Sequence, residues 1–125
     1  MITVNAKIES ASIQLDRDCF LNSWLTLNYG VGCQGFGGYV LGGLPDIPAG
    51  RHEQQKNLAA EWIVSILIAA EVTKWSDLPG KCLRVKKVDE FGDIIAIGHI
   101  TRDDRWFNPK ERMAAMCPPA EEPKP

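Results

Sequence analysis

The chain has 125 residues, of which 45% are hydrophobic and 24% are charged, so it is long enough to bury one ordinary hydrophobic core. Its net charge of −2 excludes the broad basic surface that binds a nucleic-acid backbone. No apolar run reaches the ~18 residues of a membrane span, and the opening MITVNAKIES lacks the pattern of a secretion signal. We therefore expect one cytoplasmic domain over residues 1–116 that contacts neither membrane nor DNA or RNA polymer.

The cysteines are scattered along the chain, with no CxxC pair and no histidine at a metal-ligand spacing. This distribution predicts neither a zinc site nor a disulfide scaffold. We expect four free thiols in a reducing compartment, and no metal and no cofactor. The four are Cys19, Cys33, Cys82 and Cys117.

The first third of the chain predicts three strands. Apolar and polar residues alternate from residue 2 to 15, with a bulge expected near the small Ser10-Ala11-Ser12 stretch. A turn at Asp16-Arg17-Asp18 leads to a second alternating segment over residues 19–29. Residues 36–41 carry aromatic and Val positions that predict a third, shorter strand.

A long helix is predicted over residues 54–72, because this segment has no Gly or Pro and is rich in helix formers. Apolar side chains occupy nearly its whole circumference, so it must be covered on two sides. Two arrangements meet this need. Either a strongly curved sheet surrounds the helix, or the helix packs on its own sheet and on a second subunit.

The last third predicts a hairpin and a short helix. Residues 81–88 and 94–101 alternate as two strands around a polar turn. The NPKE sequence from Asn108 is a helix start and predicts a helix over 109–116, with a disordered, proline-rich tail at 117–125. The predicted fold class is α+β, with about five mostly antiparallel strands, one long helix on the sheet and a short C-terminal helix.

The glycine-rich segment that begins at Gly30 spells GxGxxG. A dinucleotide-binding fold places a helix after this pattern, and the helix N-terminus binds the pyrophosphate. The residues after Gly35 are FGGYVLGG, which disfavour a helix. Two interpretations of QGFGGY stay open. It forms a tight hairpin whose rings enter the core, or a pocket wall where Gly35 and Gly37 bring the backbone close to a ligand and Phe36 stacks on a base.

Catalytic residues are sparse, and we do not expect an enzyme. Nucleophilic catalysis needs a Ser or Cys beside a His and an orienting acid, and the chain has only His52 and His99. Each is more typical of a structural or ligand-contacting residue. Asp103 and Asp104 are adjacent acids that are more typical of a solvated loop than of a metal site.

Basic residues next to aromatic ones are more informative. An arginine guanidinium binds phosphate as a fork, and an aromatic ring stacks on a base, so this pairing indicates a nucleotide ligand. The alternative is that these charges simply face solvent. The candidate ligand-binding residues are Gly35, Phe36, Gly37, Arg51, Arg84, His99, Arg102, Arg105 and Trp106.

Five segments between about residues 20 and 110 together resemble a group of small proteins of bacteriophages and prophages, and QGFGGY is the most specific of them. The group resembles the phage Thoeris anti-defence sponge family. The segments are WLTL (24–27), GCQGFGGYVL (32–41), DLPGK with Arg84-Val85 (77–85), AIGHI (96–100) and RWFNP (105–109).

The resemblance implies a counter-defence protein in the cytoplasm of an infected bacterium. Members of that family bind and sequester glycocyclic ADP-ribose without cleaving it, and some also hold cyclic oligonucleotide signals of the CBASS system. They assemble as dimers or trimers of dimers, so a homo-oligomer is implied here. Two alternatives stay open: a phage inhibitor that binds a host defence protein directly, as an anti-CRISPR does, and a cyclic-nucleotide hydrolase.

Overall fold

The computed structural model describes residues 1–16, 20–39, 41–43, 52–90 and 92–116, and an α+β fold lies within these ranges. The predicted α+β class is confirmed. The predicted strand number was too low, because two strands of two residues each add to the five longer ones. The elements are β1 (Ile2–Asp16), β2 (Phe20–Asn28), β3 (Cys33–Gly37), β4 (Gly42–Gly43), α1 (His52–Ala70), β5 (Cys82–Lys87), β6 (Ile94–His99), β7 (Trp106–Phe107) and α2 (Pro109–Met116).

All strands belong to one antiparallel sheet with the order β3-β2-β1-β5-β6-β7, and β4 pairs with the start of β2. The third strand begins at Cys33 rather than at the predicted residue 36. This order places β3 and β7 at opposite ends of the path, with four strands between them. Two segments that the sequence suggested for one pocket are therefore separated by the width of the sheet.

The first strand is the longest, and it connects the two halves of the sheet. It pairs with β5 through Ile2 to Lys7 and with β2 through Lys7 to Asp16. The register shifts between Ile8 and Ser10, which confirms the expected bulge. Because a bulge strengthens local twist, it turns the outer half of β1 away from β5.

Helix α1 packs its buried residues on one face of the sheet. Trp62 is 1% exposed and lies among the rings of Phe36, Tyr39 and Phe107, with centroids 5.3, 5.6 and 5.7 Å away. Replacing such a ring with alanine costs roughly 3–5 kcal/mol. No helix in the described ranges is long and apolar enough to cross a membrane.

The second side of α1 is partly covered by α2, an arrangement that neither sequence interpretation included. The helix α2 begins as predicted, because the Asn108 side-chain oxygen accepts a hydrogen bond of 3.1 Å from the Glu111 N–H. An ion pair between Arg112 and Glu61 joins the two helices. Val64 and Ile68 of α1 remain half exposed.

Candidate functional site

The face of the sheet opposite α1, called the open face here, carries the candidate site. Leu83 and Val85 of β5 are fully buried on the helix side. Because side chains alternate along a strand, Arg84 and Lys86 lie on the open face. The same register places Gly98 opposite Arg84, in β6.

Trp106 of β7 lies across Gly98 on this face. The two residues are paired in register. A Cβ atom on Gly98 would lie 2.5 Å from Cδ2 and 2.6 Å from Cε3 of the Trp106 ring, so the indole is packed against bare backbone. Any side chain at residue 98 would displace the ring. The glycine therefore fixes Trp106 close to the strand that carries the two basic residues.

Two cations lie over the Trp106 ring. The Arg84 Cζ atom is 5.0 Å from the ring centroid and the Lys86 Nζ atom is 4.1 Å away. Each contact of this kind contributes about 0.5–1 kcal/mol at an exposed site. Trp106, Arg84 and Lys86 are called the tryptophan–cation cluster below. The ring holds two like charges close together, which is favourable for binding an anion.

The two cations differ in their other partners. The Arg84 Nη2 atom lies 2.8 Å from an oxygen of the exposed Asp103, and its Nε donates to the His99 carbonyl at 2.8 Å. Lys86 has no carboxylate within ion-pair distance among the described residues. Lys86 is thus ready to bind an anion, whereas Arg84 must first exchange a carboxylate for it.

A groove of about 370 Å³ lies between two members of the cluster, Lys86 and Trp106, and α2. Small-molecule sites begin at about 300 Å³, so the groove is large enough for a nucleotide-sized ligand in part or whole. Lys86 and Trp106 line one side, and Asn108, Glu111 and Arg112 line the other. A ligand with an anionic and a planar part suits this combination of groups.

No protein-family model, curated protein or solved structure matches this chain. The resemblance to the phage sponge family therefore stays a prediction.

His99 is the last residue of β6, and its buried ring holds the loop that precedes β7. It is 5% exposed, and its Nδ1 accepts hydrogen bonds from the backbone N–H groups of Thr101 and Arg102, at 3.1 and 3.0 Å. Since Nδ1 accepts, the ring proton is on Nε2, which donates to Glu71 at 2.7 Å. The hydrogen bond from His99 lowers the pKa of Glu71.

The two loop arginines do not join the tryptophan–cation cluster. Arg102 pairs loosely with Asp104 at 3.6 Å, and its side chain is half exposed. Arg105 lines a second groove of about 230 Å³, together with Val64 and Ile68 of α1, and this groove shares Trp106 with the one beside Lys86. Neither arginine lines the groove beside Lys86.

The glycine-rich segment lies at the other edge of the sheet, and its ring faces the core. Phe36 is 2% exposed and stacks on Trp62, which leaves no ring face for a ligand. Gly35 and Gly37 accommodate β2 instead. A Cβ on Gly35 would lie 3.1 Å from the ring of Trp24, and one on Gly37 would lie 2.1 Å from a backbone oxygen. These placements favour the hairpin interpretation of QGFGGY over the pocket wall.

The structure thus brings together Arg84 and Trp106, and it separates them from Gly35, Phe36 and Gly37. Arg51 lies outside the described residues, as do residues 17–19, which carry most of the predicted turn, and the predicted tail at 117–125.

Sequence reasoning missed Lys86 as a site residue, although its position two residues after Arg84 places both on one strand face. It also missed the contribution of α2, which no local pattern reveals. In the described part of the chain, no three His, Cys, Asp or Glu side chains are arranged to bind a metal ion. Of the described cysteines, Cys33 and Cys82 are free and exposed.

Proposed function

We propose that this chain binds a cyclic nucleotide signal of the glycocyclic ADP-ribose type in the groove beside Trp106 and holds it without cleaving it. The observation that carries the proposal is the tryptophan–cation cluster: Lys86 and Arg84 lie over one indole, and Lys86 and Trp106 line a groove of 370 Å³. The resemblance supplies the ligand class. It also supplies the role: sequestering an immune signal in the cytoplasm of an infected bacterium, as a homo-oligomer.

The groups of the site suit a pyrophosphate. Lys86 Nζ offers N–H donors to one phosphate, and the Arg84 guanidinium offers the N–H groups that do not bond the His99 carbonyl to another. In the ligand-free chain, an oxygen of Asp103 lies 2.8 Å from Nη2 of that guanidinium. Because the Asp103 side chain is 85% exposed, its carboxylate returns to water at little cost when a phosphate replaces it. Binding of this kind requires positioned donors and no reacting group.

A retention experiment separates this function from its alternatives. The protein is incubated with cyclic ADP-ribose, freed of unbound ligand, denatured by heat, and the supernatant is analysed by chromatography. We expect intact cyclic ADP-ribose in the supernatant. An altered ligand would indicate the hydrolase instead. No retained nucleotide, with this probe or with the glycocyclic isomer, would contradict sequestration and favour the inhibitor of a host protein.

Two substitutions test the groove itself. Lys86→Met removes the unpaired cation, and we expect about tenfold weaker binding by calorimetry, since a hydrogen bond to a charged group contributes about 1.5–3 kcal/mol. Lys7→Met is the matched control, because Lys7 is exposed on the same face in register with Cys82, away from the groove. Equal losses in the two variants would show general attraction to a basic surface and would contradict the groove.

Asp103→Asn tests the exchange at Arg84. The substitution removes the negative charge that occupies the guanidinium, so we expect tighter binding of the anionic ligand than in the unsubstituted chain. Weaker binding would mean that Asp103 contacts the ligand or orders the site. The proposal that a phosphate replaces Asp103 at Arg84 would then be wrong.

A further inference from the structure

The outer half of β1 has one edge with no described partner strand. β5 pairs with β1 only as far as Lys7. The next residue, Ile8, is bonded through its backbone to Gly80 and Lys81, at 2.7 and 2.8 Å. From Ser10 onward, β2 is the one described strand that pairs with β1. Within the part of the chain that the structure describes, this half of β1 therefore presents a free edge.

The hydrogen bonds that β2 makes on its side away from β1 show which residues of β1 direct their backbone N–H and C=O groups to the free edge. The carbonyl of Ser23 accepts from the Gly38 N–H, and the carbonyl of Leu21 accepts from the Leu41 N–H, both at 2.9 Å. In an antiparallel ladder, the N–H and C=O of one residue point to the same side. The backbone N–H and C=O groups of Ser23 and Leu21 thus point away from β1. The backbone groups of their register partners, Ile13 and Leu15, therefore point away from β2 and towards the free edge.

The side chains at this edge are apolar and unprotected. Ile13 is 41% exposed and Leu15 is 55% exposed. Natural edge strands are usually protected from pairing by a lysine, a proline or an inward-pointing charge. The sequence SASIQL from Ser10 to Leu15 contains none of these. An uncharged, apolar free edge of this length favours the addition of another strand.

We propose that a second copy of this chain pairs with the free edge of β1, antiparallel and around a two-fold axis at Ile13. In this register Ile13 lies opposite Ile13 of the partner subunit, and Ala11 lies opposite Leu15 of the partner subunit. Every such pair joins two residues whose backbone N–H and C=O groups point to the free edge. The two residues of a pair therefore form two backbone hydrogen bonds with each other. The apolar side chains of both copies lie on the helix-bearing face and cover one another.

The polar residues of the strand are also compatible with this register. Ser12 lies opposite Gln14 of the partner subunit, and Ser10 lies opposite Asp16 of the partner subunit. No acidic residue of the strand faces another one across the axis. The edge is therefore complementary to itself in hydrogen bonding, hydrophobicity and charge, as an isologous interface must be, and this property selects a second copy over a foreign strand.

Size-exclusion chromatography with light scattering tests the assembly. We expect the full chain to have twice its monomer mass of 13.9 kDa. Ile13→Lys and Leu15→Lys should each give monomers, because they place a charge where two copies meet. Gln14→Lys is the matched control: it adds the same charge to the same strand, but its side chain lies on the open face, and it should leave the dimer intact. Circular dichroism is used to check that each variant is folded.

Amide hydrogen exchange on the unsubstituted chain tests the register without any variant. We expect slow exchange at Ile13 and Leu15, whose N–H groups point to the partner, as well as at Ser12 and Gln14, whose N–H groups point to β2. In Leu15→Lys, the Ile13 amide should exchange rapidly while Ser12 stays protected. A monomer, a dimer that survives both lysines, or a dimer whose Ile13 amide exchanges rapidly would each overturn the proposal.

Discussion

Two tryptophans on the open face are held in the same way and have different surroundings. Trp24 lies against Gly35 and Gly38 near the β3 edge of the sheet, and Trp106 lies against Gly98 near the β7 edge. Among the described residues, cations lie over the ring of Trp106 and none lies over Trp24. A glycine on a strand leaves space for an aromatic ring to pack against the backbone. The neighbouring charges determine whether that ring belongs to a binding site.

The comparison changes the meaning of the most specific motif in the sequence. QGFGGY supplies the backbone against which Trp24 packs and the Phe36 ring that stacks on Trp62. Both contacts stabilise the fold. The candidate site uses a single glycine, and the alternating charges of β5 distinguish it. Four predictions test this contrast, from the largest expected effect to the smallest.

Gly37→Ala should destabilise the fold most. Gly37 has φ of +139°, and an added Cβ would lie 2.1 Å from the Ser23 carbonyl oxygen, which is backbone and cannot rotate away. The strained φ and the overlap together predict a cost of about 3 kcal/mol or more in the free energy of unfolding, measured in urea. Gly32→Ala is the control, since no atom lies within 4 Å of its added Cβ. Similar midpoints for the two variants would contradict this interpretation.

Gly98→Ala should destabilise the fold less, because its Cβ would meet the movable side chain of Trp106 and not backbone. We expect a cost of about 1–3 kcal/mol. In a Trp106→Ala background the same substitution should cost clearly less, since the overlapping ring is gone. Additive costs in this double-mutant cycle would mean that Gly98 is needed for another reason.

Alanine substitutions of the two tryptophans should separate fold from function. Trp106→Ala should weaken cyclic ADP-ribose binding about tenfold, because a stacked or cation-holding ring contributes about 1–3 kcal/mol. Trp24→Ala should leave the affinity unchanged. Calorimetry on both variants measures this. If the affinity falls only in Trp24→Ala, the site lies at the glycine-rich edge after all.

Acid below pH 4.5 should affect the surroundings of Trp106 before those of Trp24. The hydrogen bond from His99 lowers the pKa of Glu71 below its ordinary 4.5. The stabilisation that this contact gives is therefore complete above the ordinary value and is lost as the pH falls through the lowered one. Because His99 orders the loop that carries Asp103, fluorine NMR of fluorotryptophan-labelled protein should show an acid-dependent shift at Trp106.

Glu71→Gln is the matched variant for this titration. It keeps the shape of the side chain and removes the titrating group, so the Trp106 resonance should lose its acid-dependent step while Trp24 stays unaffected. If both resonances shift together at one pH in the unsubstituted chain, general acid unfolding explains the change and the local contact does not.

Local elements could be predicted well from the sequence, because the residues that form them are close along the chain. The helix α2 covers Pro109–Met116 as expected, with Asn108 as its cap. The bounds of α1 differ from the predicted residues 54–72 by two at each end. The short strands β4 and β7 were missed, since two residues give no periodicity.

The candidate site could be predicted only in part, for a different reason. Arg84 and Trp106 were named from their chemistry, and they lie together because Gly98 stands between them in the register. His99 was named for the same reason, and the structure shows it as a buried strand residue whose ring bonds Thr101, Arg102 and Glu71. Nothing in the short-range pattern of a histidine distinguishes a surface contact from a buried hydrogen-bonding centre.

The sequence by itself determined the five longer strands, the two helices, the cap of α2, and the alternation that puts Arg84 and Lys86 on one face. Only the tertiary structure decided the strand order, which places QGFGGY and Trp106 at opposite edges of the sheet. Periodicity and capping act between residues a few positions apart. Strand order depends on which edges pair and which apolar faces α1 buries, and those are contacts between residues that lie far apart along the chain.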